Sequence, residues 1–157
     1  GQRELPAGAD QQIYKVEVVH LDGTRAHKLG VQVSPHSSGY TDELVFVGYG
    51  FEIAKGWRME PIVFYSNSGA GNDNEWRGVL NLEYADGNVW SAGLTAGGGT
   101  IDSDNPASEG EVFVASARAS VTVFEHHSIH GLVRYEDAPQ SEYTTAMVGL
   151  TLRLPSD

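Results

Sequence analysis

Residues 110–134 read GEVFVASARASVTVFEHHSIHGLVR and alternate in polarity with a period of two. Every second residue from Phe113 gives Phe113, Ala115, Ala117, Ala119, Val121 and Val123, none of them polar. The intervening series is Val114, Ser116, Arg118, Ser120 and Thr122. Such alternation belongs to a strand with one dry face and one wet face. A helix would scatter Arg118, Ser120 and Thr122 around its circumference, and the β-branched run Val121-Thr122-Val123 favours extended chain. The pattern resumes with Ile129, Gly131, Val133 and Tyr135 dry, and His130 and Arg134 wet. A three-residue turn, Glu125-His126-His127, then sets Val123 opposite Ile129, Val121 opposite Gly131 and Arg118 opposite Arg134. Thr145 of the final strand lies beside Arg134 in that register.

The same period recurs along the chain. Residues 13–21 and 24–33 form a hairpin across Asp22-Gly23, pairing Val18 with His27, Val16 with Leu29 and Tyr14 with Val31 on the dry face, and Glu17 with Lys28 on the wet face. Strands 44–53 and 57–65 join through Ala54-Lys55-Gly56. They pair Ile53 with Trp57, Phe51 with Met59, Val47 with Val63, and Glu52 with Arg58. Pro61 marks a position where a ladder bond is lost. Strands 75–84 and 89–96 join through Asp86-Gly87-Asn88, pairing Tyr84 with Trp90, Leu82 with Ala92 and Leu80 with Leu94. The last strand covers 143–154, with Ala146, Val148, Leu150, Leu152 and Leu154 dry.

Nine strands and no helix predict an all-β, antiparallel up-and-down β-barrel of about 8–10 strands. Tight turns fall at one end. The connections 34–42, 66–74 and 97–110, and the one around Ala138-Pro139, form long loops at the other. Residues 1–12 read as a flexible lead-in, and 13–154 as a single barrel domain of this 157-residue chain.

A net charge of -11 argues against nucleic acid as a partner. The chain has no cysteine, so thiol chemistry and a disulfide framework are excluded. No apolar run approaches the ~20 residues of a membrane helix, which leaves membrane spanning by strands open.

Beyond Arg25, beside the Asp22-Gly23 turn, the dry face carries no Lys, Arg, Asp or Glu in any of these strands. Its aromatics gather near strand ends: Trp57, Tyr84 and Trp90 towards the tight turns; Tyr14, Tyr65, Trp76, Phe113 and Tyr135 towards the long loops. Val, Leu and Ala fill the middle, which is the pattern of an apolar band between two interfacial girdles. The wet face mixes glycines (Gly30, Gly48, Gly50, Gly93, Gly149) with Glu17, Lys28, Glu52, Arg58, Glu60, Arg77, Glu83, Arg118 and Arg134. Close charge pairs and glycines suit a narrow lumen closed by a charge network, with Glu60, Glu83 and Glu136 as partners for the arginines.

In strand pattern, in the alternation of turns and loops, and in the ending YTTAMVGLTLRL, residues 13–154 resemble the small outer-membrane β-barrels of Gram-negative bacteria. The resemblance implies a lipid bilayer as partner, a leader peptide removed before Gly1, no cofactor, and a structural, binding or limited-permeation role without catalysis. An even strand number and a terminal aromatic are usual in that class, whereas nine strands are counted here and the chain ends Leu154-Pro155-Ser156-Asp157. The alternative is a soluble, lipocalin-like barrel that turns its dry face inward around an apolar ligand.

Catalytic signals are sparse. His126-x-Ser128, followed by Gly131, resembles the His-x-Ser-Asn motif of outer-membrane lipid A 3-O-deacylases. Ile129 stands where that motif has Asn, and the element falls on a tight turn. A deacylase-like hydrolase is therefore the third reading. A metal site is not expected at His126, His127 and His130, since adjacent histidines project apart and no Cys completes a set. Asp102-Ser103-Asp104-Asn105 begins like a calcium loop but lacks the later Gly and Glu. The acidic loops offer weak divalent-cation binding at most.

Overall fold

The computed structural model describes residues 12–69, 73–87, 89–123 and 127–151. They form nine strands: β1 (Tyr14–Asp22), β2 (Arg25–Pro35), β3 (Thr41–Ala54), β4 (Trp57–Ser68), β5 (Asp73–Asp86), β6 (Trp90–Asp102), β7 (Gly110–Val123), β8 (His127–Ala138) and β9 (Ser141–Thr151). Each pairs antiparallel with the next, giving one up-and-down sheet in chain order, with β1 and β9 at its two ends. The fold is all-β, as the alternation requires. Residues 1–11 of the lead-in and Leu152 and Leu154 of the last strand lie outside the described residues.

The sheet is strongly curved. β5 and β8 are three strands apart, on the order of 14 Å in a flat sheet at ~4.8 Å per strand. Yet the Arg77 guanidinium on β5 reaches the Glu136 carboxylate on β8 at 3.4 Å. A backbone cause lies between them at Gly97 and Gly99 of β6. A Cβ at Gly99 would stand 1.8 Å from the Trp76 carbonyl oxygen, and one at Gly97 2.3 Å from that of Gly78. The chains approach so closely that only glycine fits, and glycines at such places let a sheet bend. The run Gly97-Gly98-Gly99, expected in a loop, is thus part of β6.

Three hairpin registers differ from expectation by two residues. In β1–β2 the turn is Gly23-Thr24, so Val18 pairs with Leu29, Val16 with Val31, Tyr14 with Val33, and Glu17 with Gly30 instead of Lys28. Gly23 takes φ +59 at the first loop position, where a two-residue hairpin needs a left-handed residue. In β5–β6, Tyr84 pairs with Ala92, Leu82 with Leu94 and Leu80 with Ala96. Val89 belongs to that turn, its amide bonded to the Asp86 carbonyl. In β7–β8, Val121 pairs with Ile129, Arg118 with Leu132, and Arg134 with Ser116, so the two arginines are not opposed. Glu125 and His126 lie outside the described residues, and His127 opens β8.

In β3–β4 the pairs Phe51–Met59, Val47–Val63 and Glu52–Arg58 are as expected, but Trp57 pairs with Ala54, because a bulge inserts Ile53. The ladder skips Tyr49 and Gly50 opposite Pro61 and Glu60, and Pro61 has no N–H to donate. Strands run further than expected at the loop end. The connections there shorten to 36–40, 69–72 and 103–109, and Pro139-Gln140 is as tight as the turns at the other end.

Candidate functional site

Burial divides between the two faces along β2 to β8, while β1 is exposed on both and β9 exposes Tyr143 and Met147 on the charged face. The buried strand residues are Ala26, Gly30, Ser34, Gly48, Gly50, Gly93, Val112 and Val114, and all sit on the face carrying the charges. The dry face points outward. Val16, Val18, Leu29, Val47, Val63, Leu80, Leu94, Val133 and Leu150 are all exposed on it, and Val148 reaches 86 %. An ordinary water-soluble domain buries this set, so the molecule is inverted relative to that norm.

The outward aromatics form two groups. At the tight-turn end the Trp57 ring lies 5.0 Å from Tyr84, which lies 4.9 Å from Trp90. At the loop end Tyr65 and Trp76 are 4.8 Å apart, and Phe113 and Tyr135 6.4 Å. Tyr14 stands exposed at the start of β1. Between these groups the outer surface is aliphatic along β5 to β8. The girdle expected from the sequence left out Tyr49 and Phe51, which extend the tight-turn group at 5.4 Å from each other.

Inside, large side chains lie across glycines of the neighbouring strand. Phe46 covers Gly30, Arg118 covers Gly93, His130 covers Gly149, and Arg58 leans over Gly50. The glycines make room for these side chains within a tightly curved sheet. Lys28 pairs with Glu60 at 2.6 Å, and Arg118 with Glu83 at 3.1 Å. Glu17 pairs with Lys15, its neighbour on the same strand, at 3.0 Å. Glu52 stands opposite Arg58 in register.

The densest cluster joins β5, β8 and β9. Arg77 binds Glu75 and Glu136, Arg134 binds Glu136, and the Tyr143 hydroxyl donates to Glu136 at 2.6 Å. Glu136 thus serves two arginines and a tyrosine. The sequence placed Arg77 on the wet face and offered Glu136 only to the arginines as a group. It gave no reason to join this pair, because their contact depends on curvature. At the loop end, His36 is buried, stacks on Tyr40 at 4.1 Å and bonds Asp42 at 2.9 Å. Asp42 also accepts the Gly69 amide, tying two connections together.

Among the described residues, two cavities that share lining open on this face. The inner one, about 480 Å³, is lined by residues from β3 to β8, including Leu44, Phe64, Arg77 and Arg134. The outer one, about 430 Å³ at the loop end, shares Leu44, Ser66 and Glu75 with it.

Of the deacylase-like element, His126 lies outside the described residues and Ser128 lies in β8 opposite Thr151; the neighbouring His130 covers Gly149. Among the described residues no group of three His, Asp or Glu side chains is placed to hold a metal ion. In 102–105, Ser103 donates to Asp73 and accepts the Asn105 amide, while Asn105 accepts the Ala107 amide. These side chains brace their own loop.

No protein-family model matches this chain, and no curated protein matches it significantly. The fold defines its class: a single antiparallel up-and-down sheet of nine strands, compatible with the β-barrels, with a charged, partly buried inner face and an apolar, exposed outer face.

Proposed function

We propose that this chain is a small β-barrel protein of the Gram-negative outer membrane, held in the bilayer by its apolar outer face. Its interior is closed to wide permeation by the Arg77–Glu136–Arg134 network. Its role is structural, binding or limited-permeation.

The burial pattern supports this reading: charged side chains and glycines occupy the inner face, while Val, Leu and Trp cover the outer one. In water such an arrangement forfeits most of the hydrophobic drive to fold, whereas in hydrocarbon it costs nothing. The strands, 9 to 14 residues long, are sufficient to cross at a tilt. A bilayer also demands that backbone groups on β1 and β9 find partners, so closure of the sheet belongs to the same proposal. Aromatic groups at both ends fit the two water–lipid boundaries.

The deciding experiment is folding with and without detergent or lipid vesicles. A monodisperse, folded protein in plain buffer would overturn the proposal. Planar-bilayer recording then separates the roles, since a sustained large conductance would contradict the closed interior.

A further inference from the structure

We infer that the inner cavity is a binding site for a small uncharged amphiphile, with an apolar body and a hydrogen-bond-accepting carbonyl or hydroxyl at one end. Binding there deepens the role proposed above, but it depends on the inner face and not on the lipid-facing one.

At about 480 Å³ the cavity falls within the size range of small-molecule sites. Its wall is two-sided. Leu44, Ile62, Phe64, Val79 and Val114 supply an apolar surface on a face otherwise given to charge. A plug made only of ion pairs has no use for such a wall.

Two residues of the lining, Arg134 and Asn81, carry hydrogen-bond donors. Arg134 gives Nη2 to Glu136, while its buried Nε has no partner among the described residues. The Asn81 carbonyl oxygen accepts from the Thr95 hydroxyl, so the other end of that side chain is its donating amide group. A buried donor without an acceptor is costly, so a ligand oxygen that reaches Arg134 Nε is favoured, with the Asn81 amide as a second donor on the same lining.

Charge selects the head group. Arg77 and Arg134 are matched by Glu75 and Glu136, so the cavity lining is neutral as it stands. A carboxylate would add an uncompensated negative charge, and an ammonium group would meet donors with nothing to accept. The outer cavity reinforces the choice. Asp42, Asp73 and Glu75 line it, and no Lys, Arg or His is among its lining residues, so an anion approaching from the loop end is repelled.

The test uses the full ¹⁵N-labelled chain and three probes of equal length: octanamide, octanoate and octylammonium. Octanamide is expected to shift the Arg134 Nε–H and Asn81 side-chain amide resonances saturably, and the two charged probes to bind at least about tenfold more weakly. Asn81→Leu, which removes a donor, and Val79→Phe, which fills the cavity, should each weaken octanamide about tenfold. Val63→Phe on the outer face should not. Equal affinity for all three probes, or unchanged affinity in Asn81→Leu, would overturn the inference, whether or not Val79→Phe folds. Octanamide binding by a protein that needs no detergent would keep this site and discard the outer-membrane proposal. A detergent-requiring protein that ignores octanamide would do the reverse.

Discussion

Arg77 on β5 and Glu136 on β8 meet at 3.4 Å across two intervening strands. On β6, next to β5, glycine stands at 97 and 99, where the two backbones approach too closely for a Cβ. Glu136 also holds Arg134 and Tyr143, so one carboxylate joins β5, β8 and β9.

Glu136→Gln leaves two arginines short of a partner on a partly buried face. A loss of about 2–4 kcal/mol is expected. Arg118→Gln removes a pair whose side chains are 53 % and 40 % exposed, and should cost about 0–1 kcal/mol. Denaturant midpoints of the two variants compare them directly. Equal losses would show that the Glu136 cluster has no special weight.

Gly99→Ala and Gly78→Ala make a matched pair. A Cβ at Gly99 collides with the backbone of β5, whereas one at Gly78 meets nothing within 4 Å. Because backbone has to move, Gly99→Ala should destabilise by about 1–3 kcal/mol or more. Gly78→Ala should lie within about 0.5 kcal/mol of the parent. Unfolding curves that put the two in the opposite order would contradict the bend at β5–β6.

Leu80 and Ala117 both lie on the exposed outer face. If that face meets acyl chains, Leu80→Arg and Ala117→Arg should each cost about 2–4 kcal/mol near the midplane and impair insertion into vesicles. The assay is insertion itself, because a soluble barrel would also suffer from either change. Parent-like insertion by both variants would mean that lipid does not cover these positions.

All three tryptophans of the chain, Trp57, Trp76 and Trp90, stand exposed on the outer face near strand ends. In vesicles their fluorescence should be quenched by brominated lipids. Bromines placed near the head groups should quench more than bromines near the acyl ends. Quenching by aqueous iodide alone would place the rings in water.

The fold class was legible in the sequence because period-two alternation over more than ten residues has no helical counterpart. The division of residues between faces was legible for the same reason: Phe113 to Val123 and Leu80 to Tyr84 each fall where their alternation assigns them. The candidate site was legible only as a set. Glu83 and Glu136 could be offered to the arginines as a group, and Arg118–Glu83 and Arg134–Glu136 follow that offer; Lys28 and Glu60 could be assigned to one face but not to each other. Arg77 and Glu136 are 59 residues apart in sequence, and no local pattern announces their contact.

Sequence alone determined which side chains share a face, and so which surface is apolar and which is charged. Tertiary structure decided the register. The β1–β2, β5–β6 and β7–β8 ladders each sit two residues from the pairing that the alternation offered. A one-residue slip would turn every Val outward to inward and is strongly disfavoured, while a two-residue slip leaves both faces intact and is invisible to polarity. The turn breaks that degeneracy, through the left-handed Gly23 in the first hairpin and the Val89 amide bond to Asp86 in the third. Which face became the inside was likewise left to three dimensions, because curvature at Gly97 and Gly99, and not polarity, decides which side of a sheet encloses space.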